Sequence, residues 1–197
     1  MEAVIIDSGG ANLASLEFAF ERLGARARVS GDVREIAAAA RVVLPGVGAA
    51  ADAMRRLRRS GAAELLPRLR QPVLGICLGM QLLFEHSAEG STECLGVIPG
   101  AVRRLEPARG RAVPHMGWNR LAPLRVDPLL EGIEPGEYFY FVHSYAAPVA
   151  AATVAQVEYG QALSAVVRRE NFWGTQFHPE RSSAAGARLL ANFLKLS

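Results

Sequence analysis

A chain of 197 residues, half of them hydrophobic, 21% charged and carrying a formal net charge of +3, is long enough to bury a substantial core; it reads as one soluble globular domain over residues 1–197. No apolar run approaches the ~20 residues of a membrane span, and the start, Met1-Glu-Ala-Val-Ile-Ile-Asp7, lacks the basic flank and cleavage site of a signal peptide. Two cysteines, Cys77 and Cys94, are too few for a disulfide framework or a Cys-rich metal site, and a reducing cytoplasm is the natural setting for a working thiol. The densest basic cluster is Arg55, Arg56, Arg58 and Arg59. No aromatics interleave with it, so it reads as a solvated helix face and not as a nucleic-acid platform.

Taken in order, Ala3 to Ile6 predicts a strand that ends in a Gly-rich turn, Ser8 to Ala11. The turn lacks the Gly-x-Gly-x-x-Gly of a phosphate loop. Leu13, Leu16, Phe20 and Leu23 then fall at helical spacing, with Asn12 as a candidate N-cap. Ala25 to Val29 is a second strand, Asp32 to Ala39 a short helix, and Arg41 to Leu44 a third strand. Helical patterns run from Ala49 to Arg59 and from Ala62 to Leu69, and an apolar strand follows at Val73 to Ile76. This alternation predicts an α/β fold: an open, mostly parallel twisted sheet with helices on both faces, and functional groups at the carboxyl ends of its strands. After about residue 90, short strand-like runs separated by Pro and Gly predict antiparallel strands added in the C-terminal half, at 96–98, 101–105, 138–142, 153–158, 162–167 and 172–177. A last amphipathic helix covers Ala184 to Leu196.

Two of those strand ends carry chemistry. Cys77 sits in Gly75-Ile-Cys-Leu-Gly79, a thiol form of the nucleophile elbow. The flanking glycines fit a tight turn in which bulk would strike neighbouring backbone. The turn places the sulfur at a helix N-terminus, where partial positive charge favours thiolate over thiol. The helix is expected to carry Met80, Leu83 and Phe84 on one face. A buried structural Cys is the other reading of this stretch. The third strand runs into Pro45-Gly-Val-Gly48, whose backbone N–H groups can point at a ligand as in an oxyanion hole, or simply turn the chain. Candidate oxyanion donors are the N–H of Leu78, one residue past the sulfur, and of Val47 or Gly48.

A thiol nucleophile needs a base. Of the four histidines, His178 closes the apolar strand Phe172-Trp-Gly-Thr-Gln-Phe177 and precedes Pro179, which keeps it extended. Glu180, two residues on, projects to the same side and can orient the imidazole, completing a triad. His86 follows the elbow helix and is expected to be exposed. His115 and His143 read as structural or substrate-side, and Cys94 as structural. No spacing suits zinc or another metal, and no cofactor is expected.

With Cys77, His178 and Glu180 in place, the chain resembles the class I, triad-type glutamine amidotransferases. The Gly-Ile-Cys-Leu-Gly-Met-Gln elbow, the Pro-Gly-Val-Gly loop and Thr175-Gln-Phe-His-Pro-Glu180 match that superfamily in order. Asn12-Leu-Ala-Ser15, Pro114-His-Met-Gly-Trp-Asn119, Phe141-Val-His-Ser-Tyr145 and Phe177-His-Pro-Glu-Arg-Ser182 narrow the resemblance to the glutaminase subunits of imidazole glycerol phosphate synthase, over essentially the whole length. The sequence departs from that pattern at Ser8, where an aromatic is usual, at Ala11 for Gly, at Ala50 for Phe and at Arg181 for Lys. None touches the triad.

The resemblance implies hydrolysis of the glutamine side-chain amide through a thioester on Cys77. It implies substrate contacts at Gly46, Val47, Gln81 and Glu89, and at the backbone of His143, Ser144 and Tyr145. It also implies a separate (β/α)8-barrel cyclase partner, docked on a face that includes Asn12, Met116, Trp118, Tyr138 and Arg181. The glutaminase component of a different amidotransferase, a thiol peptidase, and a non-catalytic module of the same fold are the competing readings. Neither nucleic acid nor membrane is an expected partner.

Overall fold

The structure, a computed structural model, describes residues 2–7 and 13–197. Strands β1 (Glu2–Ile6), β2 (Arg26–Ser30), β3 (Val42–Gly46) and β4 (Val73–Cys77) alternate with helices α1 (Leu13–Arg22), α2 (Val33–Ala38), α3 (Ala50–Ser60) and α4 (Ala62–Leu65). The elbow helix α5 spans only Leu78–Leu82. There follow β5 (Phe84–Ser87), β6 (Thr92–Glu93), β7 (Ile98–Arg104), β8 (His115–Arg120), β9 (Ala122–Pro123), β10 (Tyr138–His143), β11 (Tyr145–Ala146), β12 (Thr153–Glu158), β13 (Ala162–Arg169), β14 (Phe172–Thr175) and α6 (Ser183–Lys195).

The main sheet has the order β2-β1-β3-β4-β14-β13-β12-β9. Its first five strands pair in parallel and its last three antiparallel. That agrees with the predicted architecture, but β14, expected among the antiparallel additions, pairs in parallel with β4 on one side, and not all the later strands extend this sheet. β8 and β10 form a separate antiparallel ribbon, and β5, β6, β7 and β11 form a small sheet of their own.

Period-two alternation explains the core. On β1, Ile5 faces one cluster while Val4 and Ile6 face the other; on β4, Leu74 and Ile76 oppose Val73. Helices α1 and α6 cover the first cluster with Leu16, Phe20, Leu189, Leu190 and Phe193. Helices α2 to α5 cover the second, with Ile36, Met54, Leu57 and Met80 among its members. Asp32 caps α2 by accepting from the Arg34 N–H at 2.8 Å, which fixes where that short helix starts. The predicted helix over 62–69 tightens after Leu65 into a 3-10 turn, Leu66–Arg68, at Pro67. The elbow helix is likewise shorter than expected. Phe84 opens β5 and does not share a helix face with Met80, because the helix ends at Leu83 and Phe84 pairs with Ile98 in the small sheet.

The junction between β3, β4 and α5 is exceptionally close. A Cβ on Gly79 would lie 1.8 Å from the Leu44 carbonyl oxygen, and one on Gly75 would lie 2.7 Å from the Gly79 oxygen. Backbone cannot yield as a side chain can. Gly79→Ala is therefore expected to destabilise the fold by at least about 3 kcal/mol, a fall in Tm of roughly 6–12 °C for a chain of this size. Thermal unfolding by circular dichroism checks it; an unchanged Tm would show that the junction can open.

Candidate active site

β4 delivers Cys77 to the carboxyl edge of the sheet with φ 55° and ψ −111°. A side chain beyond glycine at positive φ is strained by about 1–3 kcal/mol, and such strain gathers at functional sites. The neighbouring strands place their own ends beside it. β3 pairs Gly46 with Cys77, so the Gly46–Gly48 loop leaves the sheet on one side of the sulfur. β14 pairs Thr175 with Ile76, so the chain running on to His178 leaves on the other. The β10 backbone holds that segment, with the His178 N–H donating to the Tyr140 carbonyl at 3.0 Å.

His178 is buried, and its Nδ1 donates to Glu180 Oε1 at 2.8 Å. The ring lines the same cavity as the Cys77 sulfur, close enough for the two to interact. Burial works against an imidazolium here. The hydrogen bonds and negative charges of Cys77 and Glu180 outweigh burial and push His178 up to about 10. Sulfur, imidazole and carboxylate thus form one contiguous chain, drawn from residues about a hundred positions apart. Cys94 differs in every respect. It is half-buried against the core, its sulfur lies 3.6 Å from the Thr92 carbonyl, and burial pushes its thiol up to about 11.

A cavity of about 400 Å³ opens over the sulfur. Gly46, Val47, Gly48, Leu78, Gln81, Glu89, His143, Ser144 and Tyr145 all line it beside Cys77 and His178. These are the nominated substrate and oxyanion residues. Gly48 has φ +86°, a left-handed conformation that favours glycine. One carboxylate oxygen of Glu89 accepts from the Ala50 N–H at 2.8 Å, at the first turn of α3. Glu89 is therefore anchored at a helix N-terminus through one carboxylate oxygen. Sequence reasoning gave no part to Pro114, Val142 or Gln176. The first two line the cavity, and Gln176 lies 3.8 Å from the sulfur. Gln176 stands two residues before His178, a spacing that signals a shared side of an extended chain.

His115 and His143 are buried in series. His143 Nδ1 faces the Tyr145 carbonyl at 2.8 Å, and its Nε2 faces His115 Nδ1 at 3.0 Å. Burial pushes both down to about 4, so both rings are neutral. A carbonyl can only accept, so the proton positions follow: His143 donates to Tyr145, and His115 donates to His143. Asn119 completes the chain at His115 Nε2, 3.3 Å away. His86 is half-buried in β5, not exposed, because it pairs with Glu93 and Ala101 in the small sheet.

The β8–β10 ribbon has a second face. Its register pairs Trp118 with Tyr140 and Arg120 with Tyr138, alternating with the inward pair His115 and His143. Met116 is 63% exposed, Trp118 51% and Tyr138 47%, so none of the three is simple core packing. Arg120 lies over the Tyr138 ring and Arg181 over Tyr140, each at 5.2 Å. Asn12, Ser8 and Ala11 lie outside the described residues. No group of three or more metal-binding side chains occurs among the described residues, and no helix is long and apolar enough to cross a membrane.

Residues 4–196 match the family model for class-I glutamine amidotransferase. The chain belongs to the class-I glutamine amidotransferase family. It is 55% identical over 195 residues to the imidazole glycerol phosphate synthase subunit HisH of Xylella fastidiosa, covering 99% of this chain and 98% of that one. It is 55% identical over 196 residues to the same subunit of Xanthomonas campestris pv. campestris, covering 100% and 98%. Among solved structures, a glutamine amidotransferase superposes with a TM-score of 0.76 at 21% identity, over 98% of this chain and 97% of that one. PurLQS from Thermotoga maritima superposes at 0.71 and 21% identity, over 98% and 97%. At those identities the structures establish the shared amidotransferase fold. The predicted α/β architecture and family both stand.

Proposed function

We propose that this chain is the glutaminase subunit of imidazole glycerol phosphate synthase, hydrolysing L-glutamine to glutamate and ammonia for histidine biosynthesis in the cytoplasm. The observation that carries the reading is full-length identity of 55% to HisH subunits. The meeting of Cys77 and His178 in one cavity, with Glu180 hydrogen-bonded to His178 behind it, supports the chemistry.

In the resting site the proton sits on His178, held there by the Glu180 carboxylate and the sulfur. Cys77 thiolate attacks the amide carbon, forming the C–S bond and moving the carbonyl electron pair onto oxygen. The N–H groups of Leu78 and of Val47 or Gly48 receive that oxyanion. His178 gives its proton to the departing nitrogen as the C–N bond breaks, leaving a thioester and ammonia. Neutral His178 then takes a proton from water as the water attacks the thioester, and thiolate and imidazolium return with glutamate. Glu89 offers a carboxylate to the substrate α-ammonium. Backbone N–H groups at His143 to Tyr145 and at Gly46–Val47 suit its α-carboxylate.

Ammonia is mostly protonated in water and so lost as a nucleophile; it has to reach its acceptor by a shielded route. The exposed Met116, Trp118 and Tyr138, with Arg181, lie on or beside the ribbon whose Val142 and His143 line the cavity, and form the docking face for a (β/α)8-barrel cyclase subunit. Aromatic, Met and Arg side chains together fit an interface core. Docking is expected to reorient the peptide between Gly46 and Gly48 so that its N–H completes the oxyanion hole.

Glutamate release measured on the chain alone, and again with the barrel subunit and its aminoimidazole-carboxamide nucleotide, tests this reading. Gaining one oxyanion donor on docking predicts a rise of about a hundredfold or more. No glutamate from the assembled pair would overturn the proposed function; equal rates with and without the barrel would remove the gate.

A further inference from the structure

The hydrogen-bond direction around the sulfur is fixed from a distance. Its anchor is the Tyr145 carbonyl, which can only accept. It receives His143 Nδ1 and, at 2.8 Å, Gln81 Nε2. The same Gln81 nitrogen lies 3.0 Å from Gln176 Oε1. Both amide protons of Gln81 are thus committed, one to each oxygen. The oxygen of Gln176 must face Gln81, which turns its nitrogen toward Cys77 Sγ at 3.8 Å. Flipping the Gln176 amide would set NH2 against NH2 and aim a partial negative oxygen at the sulfur.

Gln176 is fully buried, and its backbone N–H is tied to the Ala165 carbonyl at 2.9 Å, so neither end of the residue is free to turn. The sulfur's other polar neighbour on this side is the Val142 carbonyl, also at 3.8 Å, which disfavours negative charge. An N–H donor beside it has the opposite effect.

We propose that Gln176 is a catalytic residue of this site: its side-chain N–H donates to the Cys77 sulfur and holds negative charge there before attack and after the thioester is cleared. Gln81 is then the positioning residue that aims it, through the Tyr145 carbonyl. The proposal rests on the reading of Cys77 as the nucleophile. It gives Gln81 a second task besides lining the cavity, where only its oxygen remains to be offered to substrate.

The test is the pH profile of Cys77 alkylation by iodoacetamide in the full-length chain, with slow-reacting Cys94 as internal reference. Hydrogen bonds to charged groups are stronger than neutral ones. Gln176→Leu is expected to move the rising limb alkaline by about one pH unit, which is about tenfold slower alkylation at a fixed pH on that limb. The Cys94 rate should not change. A profile that superimposes on the wild type would overturn the proposal and leave Gln176 as packing. If Gln176→Leu does not fold, the unmutated chain answers. The side-chain 15N signal of Gln176 should move with the titration of the sulfur and cease to do so in Cys77→Ala; a signal indifferent to pH in both would overturn it. Glutamate release separates the two readings. If it still needs Cys77 while the profile is unmoved, only the role of Gln176 falls; if it does not need Cys77, the proposed function falls as well.

Discussion

With Cys77 replaced by alanine, glutamate release by the assembled two-subunit enzyme should fall by about 10⁴- to 10⁶-fold. The size follows from what remains. The cavity, the oxyanion donors and the substrate contacts survive the change, but no atom is left to form the thioester. His178 would then have to direct water at an unactivated amide. The fold should be little affected, because only one sulfur is removed from a residue already strained at φ 55°. Thermal unfolding serves as the control. Direct quantification of glutamate over hours is sensitive enough for a 10⁴-fold loss, and a loss below about tenfold would remove Cys77 from the chemistry.

Glu180→Gln is the second large effect, expected at about 10³- to 10⁴-fold in glutamate release. The carboxylate accepts from His178 Nδ1 at 2.8 Å inside the protein. An amide in its place can present N–H to that nitrogen, turning the ring toward the wrong tautomer. The charge is lost as well, and this moves the pH profile in a predictable direction. The proton must stay on His178 and off the sulfur for attack. In the wild type His178 keeps it up to about 10, because Cys77 and Glu180 together outweigh burial. Without the Glu180 charge, burial counts for more and the ring loses its proton at lower pH. The alkaline limb of glutamate release should therefore shift toward neutrality in Glu180→Gln and not in surface variants. A limb that stays in place would mean that Glu180 only fills space.

The parts of this molecule legible in the sequence are those written in short-range chemistry. Strand-helix alternation gave four of the five parallel strands, since apolar periodicity records which face is buried, but not that β14 would join them. The glycines around Cys77 announced a tight turn, and the Leu44 carbonyl turned out to be what they make room for. The i,i+2 spacing of His178 and Glu180 was readable because extended backbone alternates sides. What the sequence hid depended on partners far along the chain. Nothing near His86 says that Glu93 and Ala101 will flank it. Nothing near Gln176 says that Gln81 will meet it across the sheet. The short strands β5, β6 and β11 are stabilised by pairing around β7, not by their own composition, so local propensity could not separate them from the main sheet.

The two-stranded ribbon that carries His115 and His143 inward carries Met116 and Trp118 outward on the next residues. A slip of one residue in its register would export both imidazoles to solvent and bring the indole indoors. Insertions and deletions there are consequently closed to evolution, and only length-preserving exchange is open. On the proposed reading, the outer face can drift to fit a changing barrel, provided each exchange leaves the alternation intact, and partner recognition and the cavity lining are then inherited as a single unit.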